Sequence, residues 1–244
     1  MVFIFKGVQM SKKSKKTKKT VEEVWPIFEE MADKPFSKDS LDESNKGAAG
    51  HKVEKDSGIA LSSDLTDLSD GEVKSHQDGQ TISISMVRSH IDEMVEQISF
   101  RDSWIYEKIQ NIIFIPKPMW NATLSKKAKK VKEATHIWYA KPILWNEDLY
   151  PDDFKFIEED WNYIVKETAR RFDNNEILST INGPNEYIQI RTKGSTSPRP
   201  ILYKGRMIAE KDYNFYFMDK KMGKYFFEQR SVDIDKTISE MGRR

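Results

Sequence analysis

A chain of 244 residues, 38% hydrophobic and 32% charged, is long enough for one domain, or for two lobes around one cleft, and is polar for a globular protein. With no cysteine it excludes a disulfide framework, a Cys-based zinc site and a thiol nucleophile, and its four histidines (His51, His76, His90, His136) make no HExxH-type zinc pair. The net charge of +1 announces no global basic field, yet lysines cluster at 12–19, Lys126–Lys132 and Lys220–Lys224 and acids between Glu147 and Asp160, a pattern compatible with a basic cleft and an acidic outer face.

Residues 1–10 begin with an apolar stretch too short for a membrane span, and the cationic run follows it, against the order of a signal peptide. Met10 is an alternative start, and a membrane partner is not expected. The Lys/Ser/Thr run Ser11–Thr20 reads as a solvated basic tail that adds non-specific phosphate attraction or only solubility. Val21–Met31 places Val24, Ile27, Phe28 and Met31 on one side of a short helix, with Pro26 suited to a first turn. Pro35–Ser44 is a loop, and Ser44 or Asn45 can cap a helix through Gly47–Glu54.

Asp64 to Lys74 reads as a loop feeding a strand. After an Asp78-Gly79 turn, Thr81–Val87 returns, with Ile82, Ile84 and Met86 on one face and Ser83 and Ser85 on the other. Trp104–Asn111 is a short helix leading into an apolar strand, Ile112–Ile115, stopped by Pro116. Thr135–Ala140 is a strand. Asp152–Phe172 is the clearest helix, with Phe154, Ile157, Trp161, Ile164, Val165 and Ala169 at helical spacing and Pro151 with acids in its first turn. Glu186–Arg191 and Tyr213–Met218 are strands, and the Gly/Pro/Ser-rich stretch Thr192–Arg206 between them reads as a surface loop. Trp145 and Trp161 read as core. The chain divides into a basic tail (1–20), an N-terminal lobe (21–98), a C-terminal lobe (99–232) and a second tail (233–244).

The sharpest chemical signal is Glu72-Val73-Lys74. On a strand, residues two apart share a face, so Glu72 and Lys74 lie together while Val73 enters the core. With Asp64 arriving from the preceding loop, two carboxylates can hold Mg²⁺ through oxygen, and the lysine can orient water and counter charge on a phosphate. Glu-x-Lys also occurs on ordinary solvated strand edges, so the pattern needs its context.

That context is Asn45-Lys46-Gly47-Ala48-Ala49-Gly50-His51-Lys52-Val53-Glu54 followed by Asp64-Leu-Thr-Asp-Leu-Ser-Asp-Gly-Glu-Val-Lys74. Together they resemble the opening of the MutH mismatch-repair nicking endonucleases and the related GATC-cutting restriction enzymes, which show a Lys-Gly-x-x-Gly helix start with a downstream Glu and then Asp-Phe-x-Glu-Leu-Gly-Val-Glu-Leu-Lys. Trp104–Pro116, Pro142–Asp148 with Asp160-Trp161, Glu186–Lys193 and Phe215–Phe217 resemble later parts of that family in the same order, from about Asn45 to Phe227. The resemblance implies an α/β, restriction-endonuclease-like mixed sheet flanked by helices, with two lobes forming a DNA-binding cleft. It implies Asp64 and Glu72 as metal ligands, Lys74 as the water-orienting lysine, Glu54 approaching from the N-terminal helix, and Lys46 and Lys108 on the DNA phosphate. The family places its Asp seven residues before the Glu, where Leu65 stands here. Asp64 is one residue early and Asp67 is the other candidate.

In Tyr187-Ile-Gln-Ile-Arg191 the isoleucines face one side, and Gln189 and Arg191 the other with Tyr187. Arginine reads guanine bidentately in the major groove, and Lys193 is placed to assist. Tyr213, Phe215 and Phe217 share a face and leave Tyr216 opposite. These are ordinary surface strand residues unless the resemblance holds, in which case they sit where that family reads its site and senses adenine methylation. Lys126–Lys132 is a solvated surface or a backbone-contacting patch. The expectation is a cytoplasmic, Mg²⁺-dependent endonuclease acting on double-stranded DNA, a type II restriction enzyme with a cognate methyltransferase, as a monomer or a DNA-induced dimer. The alternatives are a MutH-like nicking enzyme and a catalytically inactive DNA-binding module.

Overall fold

The computed structural model describes residues 17–34, 36–37, 48–60, 64–76, 81–117, 119–120, 136–137, 139–194, 199–218 and 220–222. Lys46, the Lys126–Lys132 cluster, the Asp78-Gly79 turn, residues 1–16 of the basic tail and the 233–244 tail lie outside the described residues.

Helix α1 (Val21–Met31) begins in a reciprocal capping box: Thr20 Oγ1 accepts from the Glu23 amide at 3.2 Å, and a Glu23 carboxylate oxygen accepts from the Thr20 amide at 2.7 Å. That cap starts the helix at Val21, so Pro26 falls inside it and not in its first turn. The helix forgoes one backbone hydrogen bond there and is held by burial of Val24 and Phe28. Strand β1 (Phe36–Ser37), helix α2 (Ala48–Ser57), strands β2 (Glu72–His76) and β3 (Ile82–Met86) and the short helix α3 (Ile91–Val95) follow. Helix α4 (Trp104–Ile109), capped by Ser103, leads into β4 (Asn111–Pro116). Then come β5 (Met119–Trp120), β6 (His136–Ile137), β7 (Ile143–Asn146) and the long helix α5 (Pro151–Asp173). Strands β8 (Ile181–Asn182), β9 (Ile188–Thr192), β10 (Ile201–Tyr203), β11 (Arg206–Ala209) and β12 (Tyr213–Phe217) complete the order.

The architecture is a mixed α/β one, with helices flanking mixed and antiparallel sheets. Strand β4 is the hinge between two cores. It pairs in parallel with β2 and antiparallel with β7, and Ile112 through Pro116 are all buried. Such a strand covered on both faces carries no polar alternation. Ile112 and Phe114 enter the larger core with Trp145 of β7, whereas Ile113 and Ile115 enter a smaller core with Val73 and the apolar faces of α1 and α2. The larger core lies against the antiparallel sheet β3-β12-β9-β8 and α5. Every apolar residue read from the helical spacing of α5 is buried there, as are Trp145 and Trp161. Ile82, Ile84, Val87, Ile91 and Met94 pack in this larger core beside residues beyond 99.

Other expectations need correction. Strand β3 does not return beside β2. It pairs antiparallel with β12, with a register shift that leaves Ile84 as the extra residue, because Ile82 and Ile84 find their apolar partners in the larger core. The stretch read as a loop from Thr192 to Arg206 contains β10, which forms a hairpin with β11 across a turn at Lys204 and Gly205, both at positive φ. Tyr187 and Gln189 do not share an outward face with Arg191: both are buried, and the Tyr187 hydroxyl donates to Asp153 at 2.7 Å. No helix among the described residues is long and apolar enough to cross a membrane.

Asp160, on the buried face of α5, holds the β8–β9 turn. Its carboxylate accepts from the amides of Asn185 at 2.6 Å, Tyr187 at 2.8 Å and Ile188 at 3.1 Å. Burial raises its pKa, and these amide hydrogen bonds pull against that rise. Asp160→Ala is expected to cost about 3 kcal/mol of unfolding free energy in urea denaturation, since three amides lose their acceptor in a dry site. A loss below about 1 kcal/mol would mean that water enters and replaces the carboxylate.

Candidate active site

Glu72 stands at the first position of β2, in parallel register with Ile112, and Lys74 with Phe114. Val73 points into the smaller core, which puts Glu72 and Lys74 on the opposite face of the strand. The strand can begin here because Gly71 has no side chain: a Cβ at that position would lie 2.7 Å from the Asn111 carbonyl oxygen. The carboxylate of Glu72 is 1% exposed, a depth at which a carboxylate requires partners. It has two cationic ones. Lys74 donates to Glu72 Oε1, and Lys108, from α4, donates to the same oxygen at 2.9 Å. Lys108 also donates to the Leu65 carbonyl and so ties the 64–71 loop to α4. The resemblance puts Lys108 on a DNA phosphate; in this structure its side chain is 12% exposed and is engaged with Glu72.

The acid that joins Glu72 is Asp67. Its own amide donates to Glu72 Oε2 at 3.1 Å, and its Oδ2 accepts from the Val73 amide at 3.2 Å, so loop and strand are stitched reciprocally. Burial pushes the Asp67 carboxyl above the usual range, the charge of Glu72 pushes it further, and Lys74 and Lys108 oppose both. Glu54, on α2, is also raised, by burial and then by the charge of Asp67. Gly50 lets α2 approach β2 closely: a Cβ there would be 3.3 Å from Ser75 Oγ. Asp64, the first choice from sequence, stands apart from this pairing. Its side chain is 54% exposed and lies 3.2 Å from the ammonium of Lys18. The chain passes Asp64 before it turns in at Leu68, which is fully buried in the smaller core, so the inward-facing acid is the one beside that anchor.

Glu54, Asp67, Glu72, Lys74 and Lys108 therefore form one electrostatic cluster assembled from α2, a loop, β2 and α4. Among the described residues no group of three or more His, Asp or Glu side chains is set to grasp a metal ion. The donor chemistry nevertheless suits a hard divalent cation: one carboxylate has its pKa raised by burial and then by the charge of the other, and two ammonium groups pair with a single oxygen of Glu72. Magnesium is held elsewhere in proteins by as few as one or two carboxylates plus substrate oxygens.

The predicted base-contacting residues lie on a different sheet. Arg191 donates to Thr81 Oγ1 at 2.5 Å, and its guanidinium sits 4.5 Å over the Tyr216 ring. Gln189 is buried and stands opposite Tyr216 in the β9–β12 register. Asn214, on the same strand as Tyr216, donates to Ser83 at 2.8 Å. Lys193 is exposed beyond the end of β9, its amide bonded to the Asp212 carbonyl. Sequence reasoning missed Thr81, Asn214 and, in the tail, Lys18 and Lys19. The lysines could have been found from the capping box that begins at the very next residue, since an ordered helix start restrains what precedes it.

No protein-family model and no curated protein matches this sequence. Among solved structures, the chain is similar to one described as a complex of restriction endonuclease MvaI with its cognate DNA substrate, with a TM-score of 0.39 and 12% identity over 84% of this chain and 93% of that one.

Proposed function

We propose that the chain is a divalent-metal-dependent DNA endonuclease that uses the Glu54/Asp67/Glu72/Lys74/Lys108 cluster. The observation that carries the reading is a buried carboxylate, Glu72, paired with two lysines and facing a second acid whose ionisation it opposes. Carboxylates whose ionisation is perturbed by burial and by a specific charged neighbour cluster at functional sites. The order of motifs shared with the MutH-like and GATC-cutting enzymes supports the same reading.

In this scheme Asp67 and Glu72 would hold Mg²⁺, with Glu54 close by, and the ion would supply Lewis acidity and charge neutralisation at the scissile phosphate. Lys74, paired with Glu72 in the structure, is released toward the attacking water and orients it for in-line attack on phosphorus. Lys108 keeps the loop carbonyl of Leu65 and offsets the negative charge of the site. Water adds to phosphorus as the bond to the leaving oxygen breaks, the water's proton passing to solvent and the leaving oxygen taking a proton from solvent to depart as the alcohol. Arg191, braced by Thr81 and Tyr216, is pre-ordered to read a guanine, with Gln189, Lys193 and Tyr216 beside it.

The finer reading is a cytoplasmic type II restriction enzyme for GATC-like sites, acting with a cognate methyltransferase as a monomer or a DNA-induced dimer. A MutH-like nicking enzyme is the second reading, because it shares the same motif order. Methylated and unmethylated plasmids incubated with Mg²⁺ or a chelator, followed by sequencing of the ends, separate the two. Linear product without helper proteins favours restriction, and open circles favour nicking. Lys74→Ala is expected to slow cutting about a thousandfold. Equal cutting by Lys74→Ala and the parent removes the lysine from the chemistry, and no cutting by either leaves a DNA-binding module.

A further inference from the structure

The last residues of the basic tail are built into the site. Lys18 Nζ donates to the Thr66 carbonyl at 2.5 Å and lies 3.2 Å from Asp64. Lys19 donates to the carbonyl of Ser57, the final residue of α2, at 2.7 Å. The carbonyl of Lys19 accepts from the Ser69 amide at 2.9 Å and from its hydroxyl at 3.3 Å, and the Val21 amide donates to Asp70 at 2.8 Å. Residues 18 to 21 thus run as a strap along the loop that carries Asp67, and one of them also grips the end of the helix that carries Glu54. An ammonium at a helix C-terminus meets unsatisfied carbonyls and the negative end of the helix dipole, so Lys19 is well suited to that place.

From the other side the loop is held by Lys108 at the Leu65 carbonyl, by the Asp67 amide donating to Glu72, by the Val73 amide donating to Asp67 and by Asn111 donating to the Asp70 carbonyl.

We infer that Lys18 and Lys19 are positioning residues: the strap holds the Asp67 loop and the Glu54 helix in the arrangement that receives the divalent ion. The inference rests on the proposed metal site, although its first test does not. Hydrogen exchange of the full chain reads the loop directly. In a Lys18→Met/Lys19→Met variant, amides of residues 66–73 are expected to exchange about tenfold faster, with α5 unchanged as a sign that the fold is intact. Mn²⁺ binding, followed by electron paramagnetic resonance, is expected to weaken about tenfold in step. A Lys12→Met/Lys13→Met variant, altering tail charge without the strap, should match the parent in both, and a Lys18→Arg/Lys19→Arg variant, which keeps both cationic donors, should retain the protection that the methionine pair loses.

Parent-like exchange in the double variant overturns the strap, and faster exchange with undiminished Mn²⁺ affinity overturns its positioning role. A parent chain that binds no Mn²⁺ sinks the metal reading of the site, while the exchange comparison still decides whether the strap holds the loop.

Discussion

Replacing Glu72 with Ala is expected to stop DNA cleavage and to lower the metal-free unfolding free energy by about 3 kcal/mol, the usual cost of breaking a buried charge pair from one side. The reason lies in the packing around one oxygen. Lys108 and Lys74 are mostly buried beside Glu72 Oε1, and the Asp67 amide depends on Oε2. Removing the carboxylate leaves two ammonium groups facing each other and one amide without an acceptor. Glu72→Gln separates the two consequences. The amide oxygen can still accept from Asp67, so the loop keeps its path, but the negative charge that a cation needs is gone. Urea denaturation should place Glu72→Gln between the parent and Glu72→Ala, and plasmid cleavage should be lost in both. A Glu72→Gln chain that cuts at the parental rate would falsify the assignment of Glu72 as an ion ligand.

Asp67→Asn is expected to act in opposite directions on activity and stability. Cleavage should fall about a thousandfold, whereas metal-free stability at neutral pH should rise by about 1 kcal/mol. Burial and the charge of Glu72 raise the folded-state pKa of Asp67 above its unfolded value. An acid shifted in that sense is at no disadvantage below its ordinary pKa, where both states are protonated. Its burden on the fold grows as pH rises through the raised folded value, because the unfolded chain ionises first. The gain from Asn should therefore be absent in acid and level off once Asp67 is fully ionised. Thermal unfolding of parent and variant across pH, without metal and then with Mg²⁺, tests both halves. Added Mg²⁺ should stabilise the parent and leave Asp67→Asn unmoved. A larger loss of cleavage in Asp64→Asn than in Asp67→Asn would return the role to Asp64.

The choice between those two acids shows what kind of information a sequence carries. The shared face of Glu72 and Lys74, with Val73 turned inward, follows from the two-residue repeat of any strand, and the structure has it. The buried stripe of α5, from Phe154 to Ala169, follows in the same way from the helical repeat. Both are local: each residue's direction is set by its neighbours a few positions away. The loop from Asp64 to Gly71 has no repeat. Its path is decided by Leu68 seating in the smaller core, by Lys108 reaching from α4 to the Leu65 carbonyl, and by Lys18 and Lys19 reaching from the segment just before α1. Those partners lie some 40 to 50 positions away in the chain.

Strand partners were hidden for the same reason. The alternation in Ile82–Met86 marks a strand with one apolar face but is silent on which strand it pairs with, and the larger core draws it to β12. By itself, then, the sequence determined which segments are helix or strand over their longest stretches, which faces turn inward, and that an acid and a lysine share one strand face. Only the tertiary structure decided that Asp67 meets Glu72, that Lys108 joins them and that the basic tail ends as a strap. Backbone periodicity is written within a few residues, whereas convergence of charges depends on long-range packing that closes the loops between them.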